Sequence, residues 1–472
     1  VTRVVLSSPD TFEELTAMVQ RPSRRHFLRH AAAAGAAGTM LGAEAPAPAL
    51  AREPKPPASE RIRFACIGVG GKGESDTNDA GASGEIIALC DVDSEKLDKM
   101  AAKYPNAKKY FDYRKMLEEL GDKIDAVTVS TPDHSHAVAA SMAMKLGKHA
   151  FVQKPLTWSV EEARFLRALA IEKKLVTQMG NQGTAKDGFR SGVEVIRSGM
   201  LGPIREIHVW TDRPVWPQGI SRPKDTPGIP NNVRWYEWLG PAKDRAYSAA
   251  YHPFAWRGWL DFGTGALGDM ACHTINVAAM ALQLFDPETV EVVDTSGIVD
   301  RESYPTWSVI RFQFPARDGR APLSLTWNDG GEKLPDAKRA YKGLLGGLEV
   351  PKSGLLLIGE KGSFFTKNDY GEEFMLLPVD RFKDVTRPAP TLPRSPGHFR
   401  EWVEGIKASD PTRALSNFDY AGRLTETVLL GVVALKAGGK IEWDAAAMRV
   451  KNNSDADQYL RRDYRRGFSI HS

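Results

Sequence analysis

Residues 61–73 constrain this chain more than any others. Arg61-Ile62-Arg63-Phe64-Ala65-Cys66-Ile67 is an apolar run of buried-strand type, and it leads directly into Gly68-Val69-Gly70-Gly71-Lys72-Gly73. The glycines at 68, 70 and 73 have the G-x-G-x-x-G spacing of a strand-to-helix turn. The first permits the tight turn, the second lets a pyrophosphate approach the backbone, and the third lets helix and strand pack closely. Amides at the start of the following helix would then face the phosphates. With Gly71, these four glycines form the candidate phosphate-binding loop.

The context strengthens the motif. A second strand, Glu85 to Cys90, ends at Asp91, 18 residues after Gly73. A carboxylate there accepts hydrogen bonds from a ribose 2′-hydroxyl and repels a 2′-phosphate, and no arginine follows it directly, so NAD is expected rather than NADP. A helix from Asp93 to Lys103 and a Tyr110-Phe111-Asp112 strand fragment come next. The continuous apolar run Ala126–Ser130 reads as a parallel strand. It ends in Thr131-Pro132-Asp133-His134-Ser135-His136, at the edge where open α/β sheets bind ligands. A helix from Ala137 to Leu146 leads to strand His149–Val152 and then Gln153-Lys154-Pro155. This alternation predicts a doubly wound parallel sheet over 60–180.

Farther along, Gly265 to Phe285 reads as a glycine turn followed by one apolar helix. Asp269, His273 and Asn276, at i, i+4 and i+7, fall on one stripe of it. Three polar groups on an apolar helix need partners, and a ligand pocket supplies them.

The glycine loop, the Thr131-Pro132…His136 segment, Lys154-Pro155 and Gly268-Asp269-Met270-Ala271-Cys272-His273 together resemble the Gfo/Idh/MocA oxidoreductase family, across roughly 60 to 445. The resemblance implies a Rossmann domain over 60–180 and a C-terminal α+β domain over 181–450. The second domain carries an open, mainly antiparallel sheet that often builds homo-oligomers. It implies that Lys154, Asp269 and His273 are the catalytic set, with His273 as a base oriented by Asp269, and that Lys154-Pro155 is cis. It also implies that Thr131, Pro132, His136 and Lys154 join the glycines and Asp91 around NAD. The chain departs from the family twice, with Gln153 for the usual glutamate of Glu-Lys-Pro and Asn276 for a usual acid. The implied function is hydride transfer between nicotinamide and a hydroxyl-bearing carbon of a sugar, glycoside or inositol-like substrate. The alternative is an NAD-dependent glycosidase that oxidises a hydroxyl transiently and eliminates the aglycone.

Strand-like runs at Ile204–Thr211, Thr306–Phe314, Leu323–Trp327, Leu355–Ile358 and Phe374–Leu377 suggest a meandering sheet, with a long surface loop over Gly330–Gly354. Six of the eleven tryptophans fall between Trp210 and Trp259, a concentration suited to the C–H faces of sugar rings. His252 and Arg257, in that stretch, are expected to reach substrate, as is Asn276. The basic tail 451–472, with Arg461-Arg462-Asp463-Tyr464-Arg465-Arg466, reads as a solvated or subunit-contacting end.

A net charge of +4 over 472 residues argues for neither a nucleic-acid patch nor a membrane-binding face. Three cysteines without CxxC spacing provide no disulfide framework and no zinc site, so no metal is expected. At the N-terminus, Ser23-Arg24-Arg25-His26-Phe27-Leu28-Arg29 resembles a twin-arginine export signal. An Ala/Gly-rich stretch from Ala31 to Ala43 and the A-x-A site Ala49-Leu50-Ala51 follow it. The apolar stretch is too short for a permanent span. Met18 would provide such a signal with an ordinary start, and residues 1–51 are set aside from the fold. The expected location is extracytoplasmic, reached through the twin-arginine machinery. Changing both Arg24 and Arg25 to lysine should leave a full-length precursor in the cytoplasm; cell fractionation showing normal export would refute the signal.

Overall fold

The computed structural model describes residues 61–331 and 337–471. The proposed export signal lies outside the described residues. Six parallel strands form the first sheet: β1 (Arg63–Ile67), β2 (Glu85–Cys90), β3 (Lys108–Tyr110), β4 (Ala126–Val129), β5 (His149–Val152) and β6 (Thr177–Met179). Their order is β3-β2-β1-β4-β5-β6, the doubly wound arrangement expected. Between them run α1 (Lys72–Ser83), α2 (Ser94–Lys103), α3 (Tyr113–Leu120), α4 (Asp133–Lys145) and α5 (Val160–Glu172). Ser159 and Glu162 close a reciprocal capping box at the start of α5.

Register explains how the sheet builds a site. Ile67 pairs with Cys90 and with Val129, Val129 with Val152, and Val152 with Met179. All these strands therefore end at one level, and the residues after them emerge along a single edge. Gly68, Asp91, Ser130, Gln153 and Gly180 each donate the next backbone N–H back to the neighbouring strand.

After α6 (Asp187–Arg197), the chain builds a nine-stranded sheet. Its strands are β7 (Ile204–Trp210), β8 (Thr289–Thr295), β9 (Ser308–Phe314), β10 (Leu323–Asp329), β11 (Gly354–Gly359), β12 (Ser363–Thr366), β13 (Phe374–Leu377), β14 (Lys440–Asp444) and β15 (Arg449–Val450). Every pairing is antiparallel except β7 with β10. The remaining helices are α7 (Trp235–Leu239), α8 (Gly265–Thr274), α9 (Asn276–Leu282), α10 (Ala337–Leu344), α11 (Val379–Phe382), α12 (His398–Ala408) and α13 (Phe418–Ala437). Among the described residues no helix is long and apolar enough to cross a membrane.

Late segments complete the first sheet. Phe399 and Trp402 of α12 pack on Phe64 and Phe151, and the Trp402 indole donates to the Val176 carbonyl at 3.0 Å. Arg164 of α5 holds Glu426 of α13 at 2.6 Å. One apolar core accordingly runs through both sheets and α13.

Three local expectations are corrected. The 330–354 stretch is not a plain loop: it contains α10, whose Tyr341 stacks on Trp210 at 4.5 Å because that indole needs an apolar cover. The apolar run 265–285 is two helices, separated at Ile275. The tail is not a solvated end. Arg462 lies over the Trp158 ring at 4.3 Å and donates to the His134 carbonyl, while Arg465 pairs with Asp244 at 2.8 Å. Phe468, 2% exposed, packs between Arg114 and Tyr236. Within the charge run Arg462, Tyr464 and Arg465 are half-buried, while Arg461, Asp463 and Arg466 are exposed. Phe468→Ala should cost about 3 kcal/mol, the scale for emptying a buried phenylalanine site, measured by urea unfolding at neutral pH.

Candidate active site

The glycine loop has the geometry its spacing implies. Gly68 has φ 77° and Gly71 φ 55°, left-handed values that favour glycine. A Cβ on Gly73 would lie 1.9 Å from the Gly68 carbonyl, and one on Gly70 would strike the Lys96 side chain at 2.3 Å. Helix α1 starts immediately after Gly71, so its first amides face the strand edge. Asp91 braces this turn: Oδ2 accepts from Val69 N at 2.8 Å and Gly70 N at 3.2 Å, and Oδ1 accepts from Asp93 N at 3.0 Å. Oδ1 keeps one lone pair for a ribose hydroxyl. Burial pushes the Asp91 carboxyl up from its usual value. This cradle fits a dinucleotide, with Gly68, Gly70, Gly71 and Gly73 around the phosphates.

Across the edge, Thr131 and Pro132 follow β4, and Pro132 caps α4. Gly68 abuts this segment so closely that a Cβ there would fall 3.0 Å from Thr131 N. His136 does not face the cofactor loop as expected. Its ring nitrogens lie 2.8 Å from the Thr131 and Pro155 carbonyls, so it fastens one strand-end loop to the other.

Lys154 precedes Pro155 in a cis peptide bond, as the family resemblance implies. Its Nζ donates to Asp269 Oδ1 at 2.6 Å and to the Asp269 carbonyl at 3.1 Å. Arg257 Nε lies 3.3 Å from the same Oδ1, while its Nη2 donates to Asp133 Oδ1 at 3.2 Å. Asp133, wholly buried, also accepts from the Thr264 amide and hydroxyl just before α8. The Arg257 guanidinium packs over Trp256 at 4.2 Å and Trp216 at 5.5 Å. Burial would raise the Asp269 carboxyl, but Arg257 and Lys154 outweigh it and hold the group well below the usual carboxylate range.

His273 lies one helical turn beyond Asp269. It is buried, and its ring meets Tyr370 edge-on at 5.1 Å. Among the described residues neither ring nitrogen makes a hydrogen bond. Asp269 spends its Oδ1 on Lys154 and Arg257, so it does not orient His273 by hydrogen bonding; it acts on the ring only as a nearby charge. Burial and the Lys154 charge hold His273 well below the ordinary histidine value, leaving it neutral at physiological pH. The Asp269 Oδ2 likewise has no hydrogen-bond partner among the described residues. The site thus combines a cation, an ionised carboxylate with one open oxygen, and a neutral imidazole.

Two expected substrate contacts lie elsewhere. Asn276 donates to Thr184 Oγ1 at 2.8 Å and accepts from the Tyr420 hydroxyl at 2.6 Å, both its groups being used to seat α9 after the break at Ile275. His252 packs against Trp238 and Tyr247, within electrostatic reach of Asp93 and Lys96 and not of Asp269. Burial pushes it down to about 4. Arg257 does reach the site, but through Asp269. Of the six clustered tryptophans, Trp216 and Trp256 flank Arg257, whereas Trp235, Trp238 and Trp259 fill their own apolar cluster and Trp210 stacks on Tyr341. Asp133 and Tyr370 escaped the sequence reading. Asp133 stood inside a recognised segment, but nothing in the spacing linked it to residue 257; nothing pointed to Tyr370 at all.

Asp269→Asn would leave Lys154 without its carboxylate partner and Arg257 with Asp133 alone, and should cost about 3 kcal/mol, read from urea unfolding at pH 7. The carboxyl is lowered in the folded state, so its contribution is complete above the unfolded value of about 4. It is lost only as pH falls through the still lower folded value. A wild-type minus variant difference that declines between pH 7 and 5 would contradict the ion-pair assignment.

Two family models match the chain: an oxidoreductase family NAD-binding Rossmann fold over residues 62–181, and the C-terminal alpha/beta domain of the same family over 194–332. A glycosyl hydrolase family 109 protein of Akkermansia muciniphila is 33% identical over 217 residues, covering 39% of this chain and 45% of that protein. An alpha-N-acetylgalactosaminidase of Shewanella oneidensis is 30% identical over 204 residues, covering 38% and 44%. The chain spans less than half the length of these curated relatives. Among solved structures, the WlbA dehydrogenase of Bordetella pertussis, in complex with NADH and UDP-GlcNAcA, superposes with a TM-score of 0.56 at 16% identity, over 82% of this chain and 99% of that one. An inositol dehydrogenase homolog of Azotobacter vinelandii, with NADH and myo-inositol, gives 0.53 at 17%, over 82% and 98%. Together the two models cover more than half of the chain, which therefore belongs to the Gfo/Idh/MocA oxidoreductase family, with its NAD-binding Rossmann domain.

Proposed function

We propose that the protein transfers a hydride between NAD and a hydroxyl-bearing carbon of a sugar, glycoside or inositol-like molecule, oxidising the alcohol or, in reverse, reducing the carbonyl. The observation that carries this reading is the Lys154–Asp269 pair one helical turn from a neutral His273 whose ring nitrogens are unengaged. NAD, when bound, supplies the hydride acceptor. The chain's own residues handle the proton and the charge. His273 takes the hydroxyl proton, Lys154 donates to the oxygen that becomes negative, and Asp269 Oδ2 receives a neighbouring hydroxyl. Arg257 keeps Asp269 ionised while this happens.

A second reading, an NAD-dependent glycosidase, draws on the likeness to the Akkermansia and Shewanella proteins named as family 109 glycosyl hydrolases and as an alpha-N-acetylgalactosaminidase. It uses the same three residues and differs in its products. The wider proposal is a homo-oligomer exported through the twin-arginine machinery, supported by the Ser23–Arg29 segment for export and by the family's open sheet for assembly. An enzyme outside the cytoplasm meets little free NAD, so it should travel with its cofactor.

A screen of sugars, inositols and aryl glycosides separates the readings. Net NADH formation identifies the dehydrogenase, and aglycone release without net NADH the glycosidase; neither product would refute both. Chromatography of denatured protein should reveal stoichiometric NAD(H). On the responsive substrate, Lys154→Ala should lower turnover about 100-fold or more, the scale for removing one preorganised donor, while NAD binding survives. A loss under about threefold would return Lys154 to a purely structural role.

A further inference from the structure

The departure at Gln153 has a counterpart on α1. Gln153 follows β5 and precedes Lys154, where the family motif usually carries glutamate. Its Nε2 donates to Asp76 Oδ2 at 2.8 Å. Asp76 stands three residues past Gly73, is 2% exposed, and accepts from the Ser130 hydroxyl on the same oxygen at 2.7 Å. Its other oxygen takes the ammonium of Lys72, the first residue of α1. One buried carboxylate thereby gathers the glycine-loop helix, the end of β4 and the end of β5. On the opposite side Gln153 is hemmed in by Gly180, where a Cβ would fall 2.6 Å from Gln153 Oε1. The side chain is held between Gly180 and Asp76.

We propose that Asp76 is a positioning residue which supplies, from α1, the negative charge that residue 153 lacks, and so sets the Lys154 segment against the glycine loop. This inference rests on the proposed NAD chemistry. Hydrogen-bond polarity accounts for the pairing: a carboxylate only accepts, so its neighbour on β5 must donate, and glutamine does where glutamate cannot. Two carboxylates at this separation would repel and lose the shared bonds. The charge can sit at 76 or at 153, but not at both.

The test is a charge swap in the full chain, read by NADH fluorescence titration and thermal unfolding. Asp76→Asn removes the charge, and Gln153→Glu sets two carboxylates face to face. Each should weaken NADH binding about tenfold, the scale of a lost hydrogen bond to a charged group. The double variant Asp76→Asn/Gln153→Glu restores one carboxylate and one amide with the roles exchanged. It should bind NADH within about threefold of wild type, a non-additive recovery expected only of directly coupled groups. Losses that add in the double variant, or single variants that bind as wild type does, would overturn the proposal. Should a single variant be too unstable to titrate, a double variant that folds supports the proposal and one no better than the worse single overturns it. A wild-type chain that fails to bind NADH sinks the proposed function and this inference with it. A wild type that binds, without recovery in the swap, sinks the inference alone.

Discussion

The ionised carboxylate of Asp269 is the point on which the site turns. It lies on a helix after the second sheet has begun, yet both its cations arrive from elsewhere: Lys154 from the edge of the first sheet, Arg257 from the tryptophan-rich segment. A carboxylate this buried is tolerable only with such partners, and cations so placed are tolerable only with the carboxylate. Each therefore holds the other two in position. Arg257 extends the arrangement to Asp133, which anchors the turn entering α8. The edge of the Rossmann sheet that carries Lys154 and the helix carrying His273 are thus fastened by charge as well as by packing.

The same theme recurs away from the chemistry. Buried polar groups are paired between segments far apart in sequence: Arg190 with Glu401, Arg164 with Glu426, Gln153 with Asp76, Asn276 with Tyr420. The C-terminal tail follows suit, its Arg462 covering Trp158 and the start of α4. The boundary between the halves built on the first and second sheets is consequently one of topology, not of packing, because α12 and α13 return to cover the first sheet.

Much of this was legible beforehand. A strand, a glycine turn and a helix form from residues adjacent in the chain, so Gly68, Gly70, Gly71, Gly73 and Asp91 could be placed by spacing. Lys154 could be placed because the end of a parallel strand is the ligand edge whatever its neighbours. Asp269 and His273, four apart on one helix, shared a face by helical geometry alone. Asn276 failed the same argument for one local reason: the backbone breaks at Ile275, and beyond it the stripe turns toward Thr184 and Tyr420. His252 failed for another, since an aromatic stretch folds as a cluster of its own and only part of it borders the site.

The strand, glycine turn and helix at 61–83, the alternation that makes the first sheet doubly wound, and the shared face of Asp269 and His273 were all readable from the sequence, because each rests on spacing within or between neighbouring elements. Which charge answers which was settled only when distant segments met in space. That Arg257 completes Asp269, that Asp76 answers Gln153, and that the basic tail lies against Trp158 are matches between groups from a dozen to hundreds of residues apart. Their energy depends on distance and burial, and neither exists until the two sheets and α13 have closed around one core.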